Sequence, residues 1–474
     1  MNIFTKIRGL FEPRDMSVGT PWKRIAEFAF PMLVGNFAQQ LYNTVDAVVV
    51  GRSKWGYTAL AAVGNAAPVL NLLLALFVGI ATGAGILVSQ YFGARKNKEL
   101  GLTIGNCIAV TIMATLAIMI IGPLVTEPML RAMGTLPEVY EGCRDYLNIF
   151  FIGISGFFFY NIFAGVLRGL GDSFSALVIL FICSGLNVIG DIILVDSMGV
   201  SGVALATVIA QIISAVLCLI KINRLNHLFT LSWRSLIPKK EYISEIVRLG
   251  IPSGITHGIF SCAMLVVQAL INSFGDAMFV ACNVMVMRVD GYAMLPNFSF
   301  GQAMSTYTGQ NVGARKIDRL YTGTRQGLIM ALSTALVLTP LVLLLGPTLM
   351  NLFTPGNTEL INMSMSMMYI VSAGYIAMSV TQCLSGVMRG AGDTITPMWI
   401  SFGIVVLLRV PLAYSLVAFT RKIGAAVLTQ QRMIFVSLLV SWVLGMVITT
   451  IVFRTGRWKK KQVNKIEAEL IEEA

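Results

Sequence analysis

The chain has 474 residues, 56% of them apolar and 12% charged, against about 45–50% and about 25% in soluble domains. A single water-soluble domain is excluded. The formal charge of +12 comes from basic residues between apolar runs without interleaved aromatics, which is the pattern of membrane topology and excludes nucleic acid as a partner.

Apolar stretches bounded by charges, Gly or Pro predict twelve membrane helices, near 25–50, 59–87, 102–124, 142–166, 173–195, 200–221, 245–274, 277–308, 325–346, 360–387, 395–418 and 424–453. With a cytosolic N-terminus, 26 of the 35 Lys and Arg face the cytosol and six face outward, while Arg288, Arg409 and Arg432 lie inside spans. The positive-inside rule then places both termini in the cytosol. Residues 1–24 are polar and basic and are followed by no cleavage-like boundary, so no signal peptide is expected and the protein should stay in a plasma or bacterial inner membrane. The seven Cys, without any CxxC, indicate neither a disulfide framework nor a zinc site.

The halves repeat. Pro31 and Pro252 are 221 apart, Gly93-Ala94-Arg95 and Gly313-Ala314-Arg315 are 220 apart, and Arg168-Gly-x-Gly-Asp172 returns 221 later as Arg389-Gly-x-Gly-Asp393. Gly122-Pro123 and Gly346-Pro347 end the third span of each half. Matches at the same points of the topology predict an all-α membrane protein of two six-helix bundles, and an even number of spans per copy makes them parallel repeats about a pseudo-twofold along the membrane normal. The expected organisation is a cytosolic segment 1–24, an N-terminal lobe 25–221, a cytosolic linker 222–244, a C-terminal lobe 245–453 and a cytosolic tail 454–474.

Ionisable residues inside spans are costly and therefore informative. Asp46 and Asp191 each lie about four residues from the outer ends of the first and fifth spans, at equal depth in one bundle. Tyr42 and Gln39 precede Asp46 on its helical face, Asn187 precedes Asp191 by one turn, and Thr207 on the sixth span reaches similar depth. These hard oxygens suit a coupling cation: enclosed carboxyls can take up H⁺, and converging carboxylate, amide and hydroxyl oxygens can hold Na⁺. No basic residue lies in the spans of that half to pair with the two acids. Glu27, beside Lys23 and Arg24, reads as an interfacial ion pair. The second half keeps Asp290 but nothing acidic at the places of Asp46 and Asp191, and Asp290 has Arg288, Arg409 and Arg432 to choose from. A structural ion pair and a role in substrate binding or gating are both open there.

His257 reads as a helix–helix hydrogen-bonding group, and Gly79-x-x-x-Gly83 as a close helix approach. The 25 Met and 26 Phe could line a soft cavity or simply fill apolar surface. The two Gly-x-Gly-Asp turns lack the strand and the Lys-Ser/Thr of a phosphate loop, so Asp172 and Asp393 read as helix caps. No catalytic constellation is present.

With twelve spans in two halves, Pro31 followed by Gln39-x-x-Tyr42-Asn43-x-x-Asp46, the Gly93-Ala94-Arg95 and Gln310-Asn311-Val312-Gly313-Ala314 segments and the duplicated Arg-Gly-x-Gly-Asp, the chain resembles the multidrug and toxic compound extrusion (MATE) family over residues 20–455. The resemblance implies two six-helix lobes forming a V and export of organic cations and other drugs against inward H⁺ or Na⁺. It also implies cation ligands at Asp46, Asn187, Asp191 and Thr207. Because no acid lies between Ser253 and Ser273, the chain is more similar to the DinF-like branch. The expected function is therefore a monomeric antiporter in the lipid bilayer, not an enzyme and without a cofactor. Its partners are small-molecule drugs or toxic organic cations, its coupling ion H⁺ or Na⁺. Its substrate cavity would include Gln39, Tyr42, Asn43, Arg288 and Asp290. The competing reading is a flippase for a lipid-linked or amphipathic anionic precursor, motivated by Arg288, Arg409 and Arg432.

Overall fold

The computed structural model describes residues 11–354, 356–461 and 463; the first ten residues of the expected N-terminal segment, and residues 462 and 464–474 of the expected tail, lie outside the described residues. The described chain is helical: α1 Pro21–Arg52, α2 Gly56–Gly93, α3 Asn97–Ala132, α4 Pro137–Ile152, α5 Ile154–Gly169, α6 Ser173–Met198, α7 Val200–Arg224, α8 Lys240–Asn272, α9 Ala277–Gly313, α10 Ile317–Phe353, α11 Thr358–Gly390, α12 Ile395–Phe402, α13 Val410–Lys422 and α14 Val427–Arg454. A π-helical segment, Gly403–Arg409, joins α12 to α13, and the three together make one span, Ile395–Lys422.

Among the described residues ten helices are long and apolar enough to cross a membrane, or eleven when α4 and α5, bent by 55° at their junction, count as one broken span. The twelfth is α1. Its 32 residues reach about 48 Å at 1.5 Å per residue, but Gln39, Gln40, Asn43 and Asp46 dilute its apolar character. The least apolar of the spans is the one that brings Asp46 into the molecule.

Two compact units emerge, one of Phe30–Ile255 with the segment ending at Ser17, the other of Val18–Ala29 with the chain from Thr256 onward. Both crossings fall inside helices, next to Pro31 in α1 and close to Pro252 in α8. A helical Pro removes one backbone hydrogen bond and clashes with the preceding turn, so a helix changes direction there most cheaply.

Each unit has its own core. The first is built from aromatic and branched side chains, with Phe77 and Phe158 stacked at 3.7 Å. The second buries Met285, Met294, Met350, Met365, Met367, Met368 and Met378; methionine here fills core rather than lining a cavity. In the first unit Gly79 and Gly83 let α2 touch the first half of α8: a Cβ on Gly79 would stand 2.1 Å from the Gly254 nitrogen, and one on Gly83 2.5 Å from that of Gly250. No other residue permits that approach.

The repeat is visible in the backbone. Arg95 and Arg315, each just past a long helix, share the left-handed conformation at φ 58° and 57°, and Gly171 and Gly392 do so at 86° and 89°. The Arg-Gly-x-Gly-Asp turn follows from packing: a Cβ on Gly169 would meet the Gly85 carbonyl at 2.5 Å, and Asp172 caps α6 by accepting from the Ser175 nitrogen at 2.8 Å. In the second copy Asp393 accepts from the Thr396 nitrogen at 3.2 Å.

Candidate functional site

Within the first unit α1, α6 and α7, with α4 beside them, bring the four expected cation ligands together. Asn187 and Asp191, one turn apart on α6, are 1% and 0% exposed. The Tyr42 hydroxyl on α1 donates to the Asn187 side-chain oxygen. The Asn187 amide in turn donates to Thr207 Oγ1 at 3.1 Å, and that hydroxyl donates to the Val203 carbonyl at 3.0 Å. The chain of donors fixes Asn187 with its oxygen toward α1 and its nitrogen toward α7.

The carboxyls of Asp46 and Asp191 lie close enough to act on each other directly. Equal depth is thus also equal azimuth. Neither carboxylate can donate, and Asp46 Oδ1 and both Asp191 oxygens have no hydrogen-bond partner in the protein. The charged groups felt at Asp191 include Asp46 and no Lys or Arg. Two facing carboxylates repel when both are charged, so the arrangement is chemically suited to take up a proton or to hold a metal cation.

Sequence reasoning missed Tyr146. It projects from α4, is buried, stands within hydrogen-bonding reach of Thr207 and lies close enough to Asp46 and Asp191 to feel both. A tyrosine in an aromatic-rich span carries no signal of its own.

The remaining expected residues disperse. Asn43 is exposed, and Gln39 lines a separate cavity of the same unit. In the second unit Asp290 on α9 has Tyr375 of α11 within hydrogen-bonding reach and Arg409 as its charged neighbour, and Arg409 Nε donates to Ser441 Oγ at 3.0 Å. Arg409 is the last residue of the π-helical segment, where the wider turn redirects the side chain. Arg288 is exposed and Arg432 keeps a buried Nε without a partner. His257 is exposed, with Arg389 as its charged neighbour. Glu27 pairs with Arg24 at 3.0 Å.

Two copies of one helical bundle in a single membrane chain are an architecture of transporters rather than of enzymes. Comparison with known proteins makes the class specific: the MatE family model matches residues 31–193 and 252–415, two stretches that begin 221 apart, and the chain belongs to that family of transporters. It is 28% identical over 410 residues to the "Probable multidrug resistance protein YoeA" of Bacillus subtilis, covering 84% of this chain and 88% of that one. It is 23% identical over 450 residues to the "Probable multidrug resistance protein NorM" of Thermotoga maritima, covering 93% and 94%. Among solved structures, an outward-facing multidrug resistance MATE family transporter of the MOP superfamily superposes with a TM-score of 0.87 at 21% identity, covering 96% of this chain and 99% of that one. A crystal structure of MATE in complex with MaL6 gives 0.86 at 22% identity, covering 95% and 98%. The fold is therefore the two-lobe, twelve-helix one, in a multi-pass membrane protein that needs no cofactor.

Proposed function

We propose that the protein is a multidrug efflux antiporter of the DinF-like kind, exporting organic, mostly cationic compounds in exchange for inward H⁺ or Na⁺. The observation that carries this reading is the facing pair Asp46–Asp191 with no cationic side chain beside it. The pair joins α1 to α6, so occupation by a cation pulls the two helices together and vacancy lets them part; the difference is what an alternating-access cycle needs. Asn187, Thr207 and Tyr146 supply neutral oxygens around the pair, and Tyr42 ties α1 to Asn187.

The basic segments between spans favour cytosolic termini, an inner or plasma membrane location and entry of drug from the cytosol. A monomer suffices, since both halves of the repeat are in one chain. In the second unit Arg409 is engaged by Ser441 and balanced by Asp290, which favours cationic cargo over an anionic lipid-linked precursor.

The test is transport of a fluorescent organic cation in proteoliposomes, driven in turn by a pH gradient and by a Na⁺ gradient. Gradient-driven movement is expected for the parent and is lost in Asp46→Asn at unchanged protein level; the gradient that works names the ion. Movement retained in both Asp46→Asn and Asp191→Asn refutes coupling at this pair.

A further inference from the structure

The cavity into which Gln39 points lies in the first unit among α1, α5 and α6, with Asn36, Gln39, Tyr160, Asn161, Arg168 and Ser173 as its polar wall. Arg168 is the one charged residue on that wall. It is largely enclosed, and the titratable groups that interact with it are Tyr160 and Cys218, with no carboxylate. The nearest acid in sequence, Asp172, is taken by Lys221 at 3.3 Å and by Ser175. Among the described residues the Arg168 guanidinium joins no ion pair, and its nitrogens are not among the atoms shut off from space without a partner. They open into the cavity.

An enclosed guanidinium without a counter-charge is expensive, and its planar fork of donors matches an oxyanion better than any other ligand. Asn36, Gln39, Ser173 and Tyr160 line the same cavity with amide and hydroxyl groups, and Asn161, whose amide nitrogen donates to the Phe157 carbonyl at 2.8 Å, has a second N–H to offer. The volume is about 110 Å³, room for three or four waters at about 30 Å³ each and far below the roughly 300–1,000 Å³ of sites for drug-sized ligands. A space of this size takes a phosphate-sized group.

The second half repeats the charge. Arg389, at the matching place in the second Arg-Gly-x-Gly-Asp, is likewise enclosed with no carboxylate acting on it.

We propose that Arg168, with Asn161 and Asn36, binds a phosphate-type oxyanion, either free phosphate or the phosphate of a phospholipid headgroup, at a site distinct from the cation pair. The bound anion links α5 to α1 at Asn36, ten residues before Asp46 and about 15 Å along α1 from the carboxyl pair, and so holds in place the helix that carries it. The assignment is read out by binding, so it stands or falls separately from the transport reading.

Two measurements on the full chain distinguish the sources. In the first, protein in detergent and gluconate buffer is titrated calorimetrically with inorganic phosphate. In the second, protein in phosphatidylcholine nanodiscs, with and without phosphatidylglycerol, is released for native mass spectrometry and its retained lipid identified. Saturable phosphate binding that weakens by at least about tenfold in Arg168→Gln, and less in Arg168→Lys, is expected for a free oxyanion. Retention of phosphatidylglycerol that disappears in Arg168→Gln is expected for a headgroup. Absence of both, or binding that Arg168→Gln leaves unchanged, overturns the site. If Arg168→Gln does not fold, Ala176→Leu fills the cavity from its apolar wall while leaving the charge; it must abolish the same binding, and unchanged binding overturns the proposal.

Discussion

The two units share a backbone plan and differ in what they enclose. Arg95 and Arg315, or Gly171 and Gly392, have φ values within 3° of each other, yet at the repeat offset Asp46 and Asp191 of the first unit correspond to Val267 and Leu412. The first unit leaves an acidic pair without a cation, whereas the second sets Asp290 beside Arg409 and Tyr375. The cores diverge too: seven Met are buried in the second core and none among the buried residues of the first. Duplication kept the turns, whose backbone geometry few residues tolerate, and let the interior charges part ways. One unit encloses an acid pair without a basic partner among the described residues; the other sets an acid beside an arginine.

That contrast can be broken experimentally. The largest effect is expected from Asp191→Asn, which should reduce gradient-driven transport in proteoliposomes to the protein-free background at unchanged protein level, because an amide accepts no proton and carries no charge for Na⁺. Next, Arg409→Met should lower the thermal midpoint in detergent, with a loss of up to about 3 kcal/mol, by leaving Asp290 without its compensating charge. Most of that loss should return in Arg409→Met with Asp290→Asn, and a double variant as unstable as the single would show that Asp290 and Arg409 are not coupled. Gly79→Ala should cost about 1–3 kcal/mol, since its methyl would meet the α8 backbone; the same assay reads it, and Gly64→Ala, where a Cβ meets nothing within 4 Å, should be silent. The smallest effect is expected from Tyr146→Phe, a drop in cation affinity of roughly five- to tenfold from one lost hydrogen bond, measured as the ion concentration for half-maximal transport.

Much of this was legible in the sequence, for identifiable reasons. The two-bundle plan shows because Pro31 and Pro252, and the Arg-Gly-x-Gly-Asp turns, are required by local geometry and so survive as letters. Asp46, Asp191, Asn187 and Thr207 were readable because acids and amides are rare in spans and fell at matching depth. Their azimuth was not readable, and neither was Tyr146, one of several aromatic residues in its span. Nothing in the spacing of Arg288, Arg409 and Arg432 said which would meet Asp290; the π-helical segment decides it by shifting the helical phase ahead of Arg409. Arg168 read as part of a turn because an enclosing cavity is a property of three helices at once.

The crossings beside Pro31 and Pro252 bear on how the polypeptide could be divided. Residues Lys240–Ile255 pack with the first unit, where Gly250 and Gly254 meet Gly83 and Gly79, and Val18–Ala29 belongs with the second. A gene split in the stretch between α7 and α8 would therefore encode two fragments that each lack a piece of their own fold and carry a piece of the other's. Such fragments should assemble only when co-expressed, each completing its partner in the manner of an exchanged arm.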